Sequence, residues 1–252
     1  MKHVALVVLI LASATAAPGE GESVSVVFWA GWGQKWAGFK KGSWVRWAVE
    51  SKSGDAAAKK KTKKLEVTEE LEFAIRMKVT DVPEGGAEVV NETQETQMSL
   101  TNSLVRAGEE DLDVGGEKIH CEKLEARSAG GDVTATYWRA RVGGKVLILK
   151  RDLPAEKGHS LAISSSFAVL KLEEEVKVGE VTLKCRVEES VSRSANFTQT
   201  ARRWINESVP GWTVKEEITT IQGTKTSVST KRLLDWHAEP KEFVREGEDE
   251  KK

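Results

Sequence analysis

Cysteine, proline and tyrosine are scarce in this 252-residue chain: two, five and one. Two cysteines, Cys121 and Cys185, cannot build a disulfide framework, and without histidines at finger-like spacing they fall short of a structural zinc set. A single bridge between them and a pair of buried thiols both remain open readings. No apolar run reaches the roughly 20 residues that a membrane-spanning helix needs. Neither sign of charge dominates, with 38 Lys+Arg against 39 Asp+Glu, and this removes the basic excess of a nucleic-acid binder. P-loop, G-x-G-x-x-G, G-x-S-x-G and H-E-x-x-H signatures are all missing. The four histidines, His3, His120, His159 and His237, are scattered. The sequence therefore calls for no cofactor and no metal, and an enzyme is the least supported class.

Tryptophan is abundant instead, nine in all, and five fall between residues 29 and 47. Trp29, Trp32 and Trp36 recur at i, i+3 and i+7, with Phe39 three further on, which predicts a short helix with the indoles on one face. Gly42 stops it. From Ser43 the period becomes two, Val45, Trp47 and Val49 alternating with Trp44, Arg46 and Ala48, which predicts a strand. Ser23 to Phe28 alternates as well and fits either a leading strand or the first turn of the helix.

Residues 1–16 have the form of a secretory signal peptide: Lys2 and His3, an apolar stretch from Val4 to Ala12, and Ala14-Thr15-Ala16 as the cleavage site. The expectation is an exported, soluble chain beginning near Ala17, with no cysteine at the cut to carry a lipid. Residues 17–110 then hold the helix and a first β unit. Residues 53–64 read as a small basic hairpin loop, Leu71 to Val79 as a half-buried strand, and residues 87–98 as an edge strand. Residues 239–252 are charged and aperiodic and read as a disordered tail.

Two further stretches look alike. DVGGEKIHCEKLE (113–125) and KVGEVTLKCRVEE (177–189) align Cys121 with Cys185 at an offset of 64, and Trp138 aligns with Trp204 at 66. Units at 111–174 and 175–238, each of about four strands, follow. GSWVRWAVES (42–51) can be laid on the second unit as a diverged third copy. The predicted fold is all-β with one short N-terminal helix: an antiparallel meander, strongly curved or a half-barrel, built from repeats.

WAGFKKGSWVRW, KKLEVTEELEFAI, the two GGEKIHC and GEVTLKC strands and the W-x-N-E-S-V-P-G element at 204–211 together resemble a group of uncharacterised exported bacterial β-rich proteins with a G-S-W-V start and a later W…V-P-G turn. The architecture is distantly similar to the half-barrel of lipoprotein carriers, whose concave face holds acyl chains. The surplus of tryptophan beside a sheet, with no catalytic constellation, leads to the expectation of a non-enzymatic protein binding an apolar or lipid-like ligand, or a cell-envelope partner. Trp29, Trp32, Trp36 and Trp47 are the candidate ligand-binding residues, and Lys59, Lys60, Lys61, Lys63 and Lys64 the candidate anion-binding run. A carbohydrate-binding module stacking sugars on exposed Trp29 and Trp32 is the alternative, and a structural scaffold the third reading.

Overall fold

The computed structural model describes residues 6–9, 23–30, 35–36, 38–71, 74–96, 98–128, 130–155 and 163–239. Strand-forming sequence dominates them. In chain order the strands are β1 Leu6–Leu9, β2 Ser23–Ala30, β3 Trp44–Ser53, β4 Lys59–Leu71, β5 Ala74–Pro83, β6 Val89–Thr96, β7 Met98–Val114 and β8 Glu117–Arg127. There follow β9 Val133–Val142, β10 Lys145–Leu153, β11 Ser164–Val178, β12 Val181–Ser194, β13 Phe197–Ile205, β14 Thr213–Gln222 and β15 Lys225–His237. All fifteen belong to one sheet, ordered β1, β2, then β7 through β15, then β3 through β6. The thirteen strands from β3 to β15 form an antiparallel meander whose two halves meet where β15 pairs with β3, and β2 and β1 extend it beyond β7.

The turns follow from local chemistry. Val142 pairs with Lys145 across Gly143 and Gly144, whose φ values of 56° and 79° are the left-handed pair that a tight hairpin requires. Register shifts at Ile148/Lys150, Lys171/Glu174, Trp204/Ile205 and Leu233/Asp235 act as bulges and bend the strands. The sheet rolls accordingly. Thr96 ends β6 and Met98 begins β7, so their Cα atoms lie at most about 7 Å apart. Those strands are twelve places apart in the sheet order, roughly 60 Å if it lay flat. The far edge has come back to β7 without closing the ladder, and β1 and β6 remain edges.

The largest core joins Val45 and Trp47 of β3, Leu65 and Val67 of β4, Ile75 and Met77 of β5, and Cys185, Val187, Trp204 and Val214 of β12 to β14. Trp36 and Trp47 are 0% and 1% exposed within it. Burying an indole gives a gross gain of roughly 4–6 kcal/mol before entropy is charged. Trp47 Nε1 donates to the Thr213 carbonyl at 3.0 Å. A second cluster holds Leu104, Leu124, Ala135 and Tyr137, and a third Val114, Cys121, Trp138, Leu149 and Val169.

Several expectations need correction. Trp29 lies in strand β2, Lys35 and Trp36 have helical backbone, and residues 31–34 and 37 of the expected helix lie outside the described residues. Trp29 is held in β2 by a full ladder with β7, in which it pairs with Ser99. The lysine run is not a loop: β4 starts at Lys59 and pairs with β3 from Ser51↔Lys59 to Trp44↔Glu66. The strand expected from Leu71 to Val79 is divided, Leu71 ending β4 and Ala74 opening β5 as its partner. Cys121 and Cys185 are both free and buried, in separate clusters, with no disulfide between them. Within the stretch read as a signal peptide, Leu6–Leu9 forms β1 and the rest lies outside the described residues, as do residues 240–252 of the tail.

Candidate functional site

One register row crosses six strands. Glu188 on β12 lies opposite Arg203 on β13, and the row continues through Glu216 on β14, Lys231 on β15, Val49 on β3 and Lys61 on β4. Residues opposed in an antiparallel ladder share a face with Cβ atoms about 4.5–5.5 Å apart. The sheet therefore carries a stripe of alternating charge that runs onto the aliphatic Val49. Arg203 Nε donates to Glu216 Oε1 at 2.5 Å. Arg186 donates to Glu188 Oε1 from Nε at 2.8 Å and from Nη2 at 2.7 Å. Lys61 Nζ lies 3.0 Å from Asp81.

Where the stripe meets β3 and β4 there is a pocket of about 240 Å³, lined by Val49, Lys61, Lys63, Leu65, Glu216, Ser229 and Lys231. Leu65 belongs to the largest core and Val49 packs against it, so the pocket opens at the end of that core. Lys63 faces the same way as Trp47, its partner in the β3 ladder. Asp81 stands opposite Lys63 on β5, yet its carboxylate is engaged by Lys61, and Lys63 has no ion-pair partner among the described residues. The Lys231 ammonium sits 3.7 Å from the centroid of the Trp47 ring. Burial brings its pKa down to about 8; Glu216 opposes the shift, while Lys63, Lys35 and Arg203 add to it. Burial also lowers Lys35, against the pull of Glu188 and Glu216. Lys35 is fixed through its carbonyl, which accepts from Gly211 N at 3.2 Å.

A second arrangement occurs twice. Trp204 Nε1 donates to Glu174 Oε1 at 2.7 Å, Lys215 Nζ stands 4.0 Å from the centroid of its ring, and Cys185 lies opposite Glu174. Trp138 Nε1 donates to Glu110 Oε2 at 2.7 Å, Lys150 Nζ stands 4.1 Å from its ring, and Cys121 lies opposite Glu110. The two sets are 64 to 66 residues apart. Their thiols are inert by position. Burial raises both, Cys185 to about 11, and each Sγ points at the carbonyl two residues back, Ile119 or Leu183.

Of the aromatic candidates, Trp36 and Trp47 are buried in the core and line neither pocket, so their contribution is packing. The side chain of Trp29 and the whole of Trp32 lie outside the described residues. Strand alternation splits the lysine run. Lys61 and Lys63 enter the pocket with Leu65, whereas Lys64 points the other way, 4.8 Å from the Trp44 ring and 2.8 Å from Glu66. Lys59 and Lys60 are exposed at the start of β4. His120 is exposed, 2.9 Å from Asp111 and 3.2 Å from Glu109, whose hydrogen bonds raise its pKa, and His159 lies outside the described residues. Among the described residues no group of three His, Cys, Asp or Glu could hold a metal.

Lys231 and Glu216 were not read from sequence as pocket residues. A signal was available: Lys231 stands two residues before buried Leu233 and Glu216 two after buried Val214, each on an inward position of its strand. A wider pocket of about 530 Å³ lies between β9 and β12, with Thr136, Asp152, Ser166 and Arg193 among its lining. No protein-family model, no curated protein and no solved structure matches this chain.

Proposed function

We propose that this is an exported, non-enzymatic β protein that binds a lipid-like ligand, or the lipid-like part of a cell-envelope partner, at the pocket between β4 and β15. One observation carries the reading: Val49 and Leu65, continuous with the core, meet a cationic wall in a pocket that opens from a rolled sheet. Export rests on Lys2, the apolar stretch and the Ala14-Thr15-Ala16 site. The doubled Glu, Cys, Trp, Lys set supports an internal repeat of about four strands, so that the curved sheet is a chain of like units.

The test is extraction of natively purified protein with organic solvent, followed by mass spectrometry and titration with fatty acids. A co-purifying amphiphile is expected. An empty extract, with tryptophan fluorescence indifferent to fatty acids and detergents, would remove the lipid reading. Export is checked by sequencing the N-terminus of protein recovered from outside the cytoplasm, which should start near Ala17.

A further inference from the structure

We infer that the pocket between β4 and β15 is an oxyanion site, taking a carboxylate or phosphate group, with Lys63 forming the direct ion pair and Lys61 and Lys231 completing the cationic wall. The inference deepens the ligand reading above only in naming the end of the ligand that enters.

Charge is the first argument. Around the stripe and pocket stand six cations, Lys35, Lys61, Lys63, Arg186, Arg203 and Lys231, against four carboxylates, Glu188, Glu207, Glu216 and Asp81. Each carboxylate is already engaged: Glu188 by Arg186, Glu207 by Lys145 and Arg186, Glu216 by Arg203 and Asp81 by Lys61. The surplus falls at the pocket mouth, where Lys63 has no ion pair among the described residues. Ammonium groups driven together in a half-buried pocket repel one another, and an incoming anion is the group that relieves them. Burial is what chiefly lowers the Lys231 pKa, and the neighbouring Lys63, Lys35 and Arg203 lower it further against the pull of Glu216.

Size is the second argument. A volume of about 240 Å³ holds about eight waters at ~30 Å³ each. That suits a carboxylate or phosphate with its first few carbons on Val49 and Leu65, and it falls short of the roughly 300–1,000 Å³ that encloses a whole drug-sized ligand. The hydrocarbon of a longer amphiphile stays outside. The ordinary alternative is three hydrated lysines on a strand surface. Against it stand the row that Lys61 and Lys231 share, the taken carboxylates and the aliphatic floor.

The experiment is calorimetric titration of the full chain at low ionic strength and pH 7 with decanoate, decanol and inorganic phosphate. Lys63→Gln, Lys63→Arg and Lys52→Gln, exposed on the opposite face of β3 from Val49, are compared, each with a thermal melt to verify folding. Decanoate should bind at least about tenfold tighter than decanol, as a charge-assisted hydrogen bond in a half-dry site implies. Lys63→Gln should erase most of that preference, Lys63→Arg should retain it to within about threefold, and Lys52→Gln should leave it unchanged. Equal binding of decanoate and decanol, untouched by Lys63→Gln, overturns the oxyanion site and leaves the lipid reading standing. Phosphate binding that Lys63→Gln abolishes, with decanoate no tighter than phosphate, upholds the site and removes the lipid reading. Binding of none of the three overturns both.

Discussion

Gly211 lies against the Trp36 indole so closely that a Cβ there would stand 3.1 Å from two of the ring carbons. Its φ of 72° is also left-handed. Gly211→Ala should therefore combine steric conflict with backbone strain and lose about 1–3 kcal/mol. Trp36→Ala should lose about 3–5 kcal/mol by opening a cavity at the same contact. Urea midpoints check both. If Gly211→Ala left the midpoint unmoved, the V-P-G turn would not be the seat of that ring.

The buried indole N–H of Trp204 has Glu174 as its acceptor. Glu174→Ala should cost about 1–3 kcal/mol by stranding that donor. Glu110→Ala should cost a similar amount at Trp138. Trp204 and Trp138 belong to different clusters, so the double variant should be additive within about 0.5 kcal/mol. A large coupling in the cycle would refute their independence.

Neither thiol should respond to redox conditions. Reductant should leave the melting temperature unchanged, and an aromatic disulfide reagent should label Cys121 and Cys185 only as fast as the protein opens. Prompt labelling of native protein at pH 8 would contradict the burial that holds Cys185 near 11.

Stability should rise with pH just above neutrality on account of Lys231. Its folded pKa of about 8 lies below the ordinary 10.5, so above pH 8 the unfolded chain keeps a proton that the folded chain has lost. The groups facing it are Glu216, Lys63, Lys35 and Arg203, and Lys35, itself lowered, acts in the same direction. Cys185 acts oppositely once its unfolded thiol ionises near 9, so pH 7.5 to 9 is the window. Lys231→Met should reduce the rise between those values, leaving only the share that Lys35 contributes. Identical slopes for both proteins would show that the ammonium is not enclosed.

The all-β meander could be read from sequence because period-two alternation is local: Val45, Trp47 and Val49 on one side, and Leu65 with Val67, are set by strand geometry alone. The helical spacing of Trp29, Trp32 and Trp36 was misleading, since spacing carries no information about the partner strand that captures Trp29 in β2. The pocket was half visible. Lys61 and Lys63 stand in the basic run, but Lys231 and Glu216 reach them only through a register row. A row assembled from six strands has no signature in any one of them.

The joint between β15 and β3 pairs Trp44 with His237, 193 residues later in the chain. Strands β3 to β6 are made before β15 and cannot find their lateral neighbour until synthesis has passed His237. Loop closure over such a distance is slow, and meanwhile β3 presents an unpaired edge carrying Val45 and Trp47. This makes the interval before the last strand docks the time at which the nascent protein most needs protection from aggregation.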